Sequence, residues 1–583
     1  MRAPPRLVLG SALALSLACS DAGGTQSSTL GASDSDTSPT TLPGTASDTD
    51  ETGTESATGD GDGDSATNTD SATNTDSATN TDSDSATNTD SDSGDGDGDT
   101  SGGTKFDLEV PDADSGGGMV DLCKVNEEGD GMTPCEEQAP PDSFSPVLEW
   151  SWTGPPGFTD SIVTPLVANL TDDNEDGEID LCDIPDVVVV VNSGLCDSAS
   201  IFVLDGETGE QHFMIPGPFA RASTPALGDI DDDGLPELVV QAGAGACAGD
   251  SVSVFEHDGT LKWSNAYPNL SGEHAIALAD LDNDGDVEIM INHLVIDHQG
   301  QLIFTAPDTA GVGFRWTTTT AADLDGDNDL EVVLGRSAWH DDGSMYYWDM
   351  AIGAGQPAVA DLDDDPEAEI IVVHQNGFSM LEHDGSQIII NQNPTGDNDF
   401  RRPATVHDLD GDDFSEFALS SSSRYTAFEG DLSQLWSKNV QDSSGLASGT
   451  AFDFLGDAVA EAIYGDETNL WVFDGQSGDV VLQQPRGSIT IVEYPVVSDV
   501  DNDGSAEIIV VSNNSNQPTV QSFGEAESRW IQARRIWNQH SYHVTNVRED
   551  GTLPQVEAHH WELLNTFRTN AQIEGGSVCD PVG

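Results

Sequence analysis

The sequence predicts an all-β chain, a seven- or eight-bladed β-propeller with calcium-binding loops, preceded by a disordered linker. Three observations predict it. An acidic motif recurs eight times at spacings of about 40 to 60 residues, the interval of propeller blades and similar repeats. Each copy leads into a β-branched segment and then an alternating segment with a glycine-containing turn, so that one unit supplies about four strands. The first hundred residues, by contrast, have no composition from which a core can form.

The 583 residues carry 106 Asp and Glu against 18 Lys and Arg, a formal net charge of −88. That charge disfavours direct binding to nucleic acid phosphate or to an anionic bilayer. Residues 1–19 read as an export signal: Arg2 and Arg6 precede an apolar run from Leu7 to Ala18, too short to span a bilayer as a helix. The signal ends in Leu17-Ala18-Cys19, which resembles the lipobox of bacterial lipoproteins, with Ser16 where that family prefers Leu. The resemblance implies lipidation at Cys19, a lipid anchor as the only membrane contact, and a place at the cell surface or outer membrane. An ordinary cleaved signal, and hence a secreted chain, is the other reading.

Residues 20–104 contain no Lys or Arg and carry four copies of Ser-Ala-Thr-Asn-Thr-Asp between Ser65 and Asp90. They read as a solvated linker with a coil reach on the order of 50 Å, enough to hold a domain away from a membrane. Residues 105–146 form an extension with Cys123 and Cys135, residues 147–524 the propeller, and residues 525–583 a C-terminal segment of different composition.

The motif places acids at positions one, three, five and nine. The second, third and eighth copies are the clearest: Asp229, Asp231, Asp233 and Glu237; Asp280, Asp282, Asp284 and Glu288; Asp499, Asp501, Asp503 and Glu507. The first uses Asp172, Asn174, Asp176 and Asp180. The fourth has Asp323, Asp325, Asp327 and Glu331, with Asn328 at the usual glycine, a residue that tolerates a left-handed turn. In the fifth, Asp361, Asp363, Asp365 and Glu369 surround Pro366; in the sixth, Asp408, Asp410, Asp412 and Glu416 surround Asp413. The seventh keeps Asp453, Asp457 and Glu461, but Leu455 replaces the middle acid. A tight turn folds alternate carboxylates inward, and an oxygen-only set of this size suits Ca²⁺ better than Mg²⁺. A helix–loop–helix hand would need its Glu at position twelve and flanking helices, and the motif has neither. Strand composition follows instead, as at Val187 to Val191, Ile370 to Val373 and Ile508 to Val511.

These segments resemble the FG-GAP or VCBS repeats of integrin-like β-propellers over about two thirds of the chain. The resemblance implies a Ca²⁺ ion in each Asp-x-Asp-x-Asp-Gly loop, between two strands of a blade. Leu148 to Trp152 (LEWSW) is similar to the blade-ending LKWS and QLWS, and is expected to complete the last blade and close the ring.

With Cys19 set aside, six cysteines remain in an exported chain, and disulfides are expected rather than zinc. Cys123–Cys135, Cys182–Cys196 and Cys247–Cys579 are the simplest pairs among 15 possible sets. The C-terminal segment gathers Trp, Arg and His. His540, His543, His559 and His560 are candidate transition-metal ligands; the plainer reading is a cap that buries Trp530, Trp537 and Trp561, and a partner-binding surface is a third. The expected function is a binding, adhesion or scaffold module for a surface protein or glycan. The alternative is an extracellular carbohydrate-active enzyme, since propellers of this type resemble those of some polysaccharide lyases. No catalytic constellation is visible in the sequence.

Overall fold

The computed structural model describes residues 123–125, 132–140, 143–192, 199–243, 249–308, 316–363, 365–393, 402, 404–444, 447–514 and 516–581. The expected signal, Cys19 and linker lie outside the described residues, as do Cys196 and Cys247. The chain divides into two units at Asp97, and every described residue belongs to the second, Gly98–Gly583. Within it the regular structure is all β apart from one short 3₁₀ turn, His560–Glu562.

Each acidic motif is the connection between two antiparallel strands. In the third repeat the strand Ile276–Ala279 ends where Asp280 begins the loop, and Glu288 opens the next strand, Glu288–Ile291, directly opposite Ala279. Strands Leu294–Ile296 and Leu302–Thr305 complete a four-stranded sheet. The same order recurs in the sheets that begin at Thr320–Ala322, Gly355–Ala360, Thr405–His407 and Gly449–Phe452. The first two repeats, beginning at Leu166–Ala168 and Ala226–Gly228, are joined into one sheet through the pair Phe219–Ala242. In the last repeat the fourth strand comes from upstream: Pro146–Trp152 pairs antiparallel with Val520–Glu525. The segment similar to LKWS therefore closes the chain on itself.

Burial follows the sequence pattern. Asp186–Val191, a β-branched run, is buried along its whole length because both faces are covered. The fourth strands are mostly exposed, as in Gln387–Gln392. Apolar clusters form between consecutive sheets: Ile276 and Ile289 pack with Val239 and Val254, and Phe417 and Phe428 with Val373 and Phe378. One cluster joins Val496, Ile509 and Val520 of the last repeat to Val187, Val189 and Phe202 of the first. Successive sheets stacked face to face in this way make a β-propeller fold.

Beyond Glu525 the chain runs as an irregular strap across the inner strands. The Trp537 amide and carbonyl both bond to Val167; the Asn538 carbonyl accepts from Leu227 N–H at 2.8 Å, and Gln539 Oε1 from Leu278 N–H at 2.8 Å. A second pass meets Asp229 through the Gly551 carbonyl, Val359 through His560 and Val406 through Phe567. Asn570 then donates to the Val497 carbonyl at 2.8 Å. Trp530, Trp537 and Trp561 are buried in it.

The disulfides differ from the simplest local scheme. Cys123 bonds to Cys182, and Cys135 to Cys579. Local spacing misleads because the partners meet through the tertiary path: Thr133–Pro134 lies parallel to Ser577–Asp580, which brings the two ends of the unit together.

Candidate functional site

The acidic loops share one hydrogen-bond scheme. The first-position Asp accepts the N–H of position six: Gly177 on Asp172, Gly234 on Asp229, Gly285 on Asp280, Asn328 on Asp323, Asp413 on Asp408, Ala458 on Asp453 and Gly504 on Asp499. In the fifth loop that place is Pro366, which has no N–H. Position six is left-handed in these seven loops, with φ between 65° at Ala458 and 94° at Gly177, and Asn328 adopts 75°. Position four is left-handed as well: it is glycine (Gly326, Gly411, Gly456) in the fourth, sixth and seventh loops, where position six is not, and Glu175, Asp232, Asn283 or Asn502 in the loops where position six is glycine.

The ninth-position Glu closes the loop by accepting the N–H of position two on Oε2: 2.9 Å from Ile230 to Glu237, 2.9 Å from Leu281 to Glu288, 2.8 Å from Leu324 to Glu331, 2.6 Å from Leu362 to Glu369, 2.7 Å from Leu409 to Glu416 and 2.9 Å from Val500 to Glu507. The worn seventh loop keeps the same bond, from Phe454 to Glu461 at 3.3 Å. In the first loop this role falls to Asp183, a residue the motif count passed over. It is fully buried and accepts the amides of Asp173 and Asp180, while Asp180 turns to the Cys182 N–H.

A second set of residues was not visible in the motif. Each fourth strand carries a bulge opposite the third strand, and its extra residue is His212, Lys262, Ile303, Tyr346, Ile388, Leu435, Val481 or Glu149. Where this residue is polar, it meets the acidic loop. Lys262 Nζ reaches Asp231, Glu237 at 3.0 Å and Glu256 at 3.4 Å. His212 Nε2 lies 3.7 Å from Asp173 and from Asp186. Tyr346 donates to the Leu324 carbonyl at 3.2 Å. Glu149 adds a carboxylate to the eighth loop, within 4.8 Å of Asp501 and Glu507. In the fourth loop His340 Nδ1 lies 2.8 Å from Glu331 Oε1.

The carboxylates beyond these bases are costly to bury. Burial, followed by repulsion from neighbouring acids, pushes Glu288 and Glu369 up to about 8 and Glu416 to about 9. In the eighth loop Asp499 and Asp501 rise to about 7, again chiefly through burial. Buried oxygens without a hydrogen-bond partner include Asp280 Oδ1 in the third loop, Glu369 Oε1 in the fifth, Asp410 Oδ1 and Glu416 Oε1 in the sixth and Asp499 Oδ1 in the eighth. In the second and fourth loops the matching Glu Oε1 is held by Lys262 or His340. Orphaned anionic oxygens turned into a loop of further carboxylates fit a hard divalent cation.

The remaining candidates lie in the strap. His559 bonds to Asp323 of the fourth loop, and Gln532 and Asn565 to Asp499 and Asp361 of the eighth and fifth. His540 is fully buried with its ring edge-on to Tyr494. Arg535 pairs with the strap's own Glu549 at 2.9 Å. No helix among the described residues is long and apolar enough to cross a membrane.

No family model matches the chain, and no curated protein does. Among solved structures it is similar to the V. cholerae biofilm matrix protein Bap1, with a TM-score of 0.63 at 20% identity, over 75% of this chain and 100% of that one. It also matches the exotype rhamnogalacturonan lyase YesX (TM-score 0.47, 16% identity, 65% and 75% covered) and a Bacillus licheniformis rhamnogalacturonan lyase (0.46, 14%, 78% and 82%). The likeness to Bap1 is one of fold.

Proposed function

We propose that the chain is an exported, calcium-stabilised propeller of eight FG-GAP or VCBS blades that serves as a binding or scaffold module for a surface protein or glycan, held to the membrane by lipid on Cys19 and spaced from it by residues 20–104. The observation that carries this reading is the set of partnerless buried carboxylate oxygens at Asp280, Glu369, Asp410, Glu416 and Asp499. Ca²⁺ coordinated there removes the cost of burying like charges and pins the first two strands of those four blades. The loops belong to separate blades, so they do not converge on one ligand; their role is to hold a broad face rigid. The two disulfides agree with an oxidising, extracellular setting.

The loops differ in cation demand. Glu149 adds a further carboxylate to the eighth, whereas in the second the ammonium of Lys262 already sits among Asp231, Glu237 and Glu256. Lys262→Met is therefore expected to raise the Ca²⁺ stoichiometry by one in calorimetric titration. An unchanged stoichiometry would refute the claim that the lysine takes the ion's place.

A lyase reading gains no support from the cleft beside the fifth, sixth and seventh loops. That cavity, of about 310 Å³, is lined by Asp361, Asp408, Asp413, Asp453 and Asp580 with neither Lys nor Arg, a poor match for a polyuronate. The basic residues Lys124 and Arg548 line a different cleft, of about 450 Å³, together with Asp180, Asp229, Asp232 and Asp550. The immobilised chain should retain a component of a cell-surface extract, glycan or protein, in Ca²⁺ and release it in chelator. Retention indifferent to chelator counts against calcium-dependent binding, and unsaturated uronate ends released from a polysaccharide panel would establish the lyase instead.

A further inference from the structure

We propose that His543, Glu557 and His560 form a transition-metal site in the strap, of the two-histidine, one-carboxylate kind that takes Zn²⁺, separate from the acidic loops. One ligand atom from each of the three side chains falls within 4.8 Å of the other two. Both imidazoles are buried, and the Glu557 side chain is 7% exposed.

The tautomers are set by backbone carbonyls, which can only accept. His543 Nδ1 lies 3.0 Å from the Ser541 carbonyl, so it carries the proton, and Nε2 faces Glu557 Oε1 at 2.5 Å. His560 Nε2 donates to the Val359 carbonyl at 2.9 Å, which leaves the lone pair of the neutral ring on Nδ1. Each ring thus has one nitrogen fixed by an outer partner, the arrangement that orients metal-bound histidines. The carboxylate is fixed as well, because Thr545 donates its hydroxyl to Glu557 Oε1 at 2.9 Å. The two rings lie 4.3 Å apart between centroids, and Phe567 stacks on His543, so neither imidazole can swing away.

Two nitrogens and one carboxylate oxygen leave a fourth position open, as in zinc sites that bind water or a further ligand. The rival arrangement is an imidazolium at His543 that donates to both Ser541 and Glu557 and needs no metal. Nitrogen donors separate this site from the all-oxygen loops, which favour Ca²⁺.

The test uses the whole chain saturated with Ca²⁺, so that the acidic loops are filled, and titrated with Co²⁺ as the spectroscopic stand-in for Zn²⁺. One equivalent should produce intense visible d–d bands, displaced by Zn²⁺. Glu557→Gln and His560→Asn should each weaken uptake by about tenfold or more. Absence of the bands in the unaltered chain, or bands equally strong in both variants, overturns the proposal. Should the variants fail to fold, X-ray absorption at the zinc edge of the unaltered chain decides: two imidazoles in the first shell support the site, and an all-oxygen shell overturns it.

Discussion

In EDTA near neutral pH the melting temperature should fall by more than about 10 °C from its value in millimolar Ca²⁺. Four loops, the third, fifth, sixth and eighth, hold buried carboxylate oxygens with no partner. A site filled at a hundred times its dissociation constant contributes about 2.7 kcal/mol, so four give on the order of 10 kcal/mol. In domains of 150 to 250 residues each kcal/mol shifts the midpoint by about 2–4 °C, and somewhat less in a chain of this length. The pH dependence provides a second readout in the same experiment. Glu288, Glu369 and Glu416 titrate near 8 to 9 in the metal-free fold, above their unfolded values, so between about pH 4.5 and 8 the folded chain binds more protons than the unfolded one. Metal-free stability is therefore highest at the acidic end of that window and is lost as the pH rises through the folded values. With Ca²⁺ present the slope should reverse, because protons compete with the ion. An identical melting curve in EDTA and Ca²⁺ at pH 8 would refute the cation reading of these loops.

Much of this architecture was legible because the chemistry of the loops is written locally. Asp280 to Glu288 turns within nine residues, and the strand that follows is announced by its own side chains. The closure by Leu148 to Trp152 could be read from its likeness to Leu261-Lys262-Trp263, and the two segments do occupy the same place in their sheets. The charge of each loop could not be read, because the deciding residue lies elsewhere. Lys262 is 25 residues beyond Glu237 in sequence, and Glu149 reaches Glu507 only once the chain has closed. A bulge displaces one residue of the fourth strand toward the loop, and no motif count contains that geometry. Asp183 was missed for a different reason. Two carboxylates, Asp180 and Asp183, flank Cys182, and the Cys123–Cys182 bridge holds the segment where the later one faces the turn.

Opening the Cys135–Cys579 bridge should loosen the strap from its far end while leaving the sheets paired. The bridge spans 444 residues, and the loop-entropy relation puts its stabilisation at about 6 kcal/mol as an upper bound. Its location matters more than that figure. Ser577–Asp580 is held by only two short partners, Ile573–Glu574 and Thr133–Pro134, so the disulfide anchors the end of the strap. Upstream, Arg534 donates to the Val544 and Val547 carbonyls at 2.9 and 2.6 Å, and Arg568 lies over the Tyr494 ring at 4.7 Å. Arg534 thus ties the strap to itself, whereas Arg568 also donates to Thr405 Oγ1 of an inner strand at 3.2 Å and loses that acceptor if the strap lifts, which is costly and makes release cooperative. In Cys579→Ser, a protease should trim the chain inward from its C-terminal end before any inner strand is cut, and the melting temperature should drop by about 5 °C or more. The loss should deepen in EDTA, because Gln532 and His559 tie the strap to the loop carboxylates of Asp499 and Asp323, and Asn565 to the backbone of Asp361 in the fifth loop. Equal protection from protease in Cys579→Ser and the unaltered chain, with and without Ca²⁺, would show that the strap needs no covalent latch.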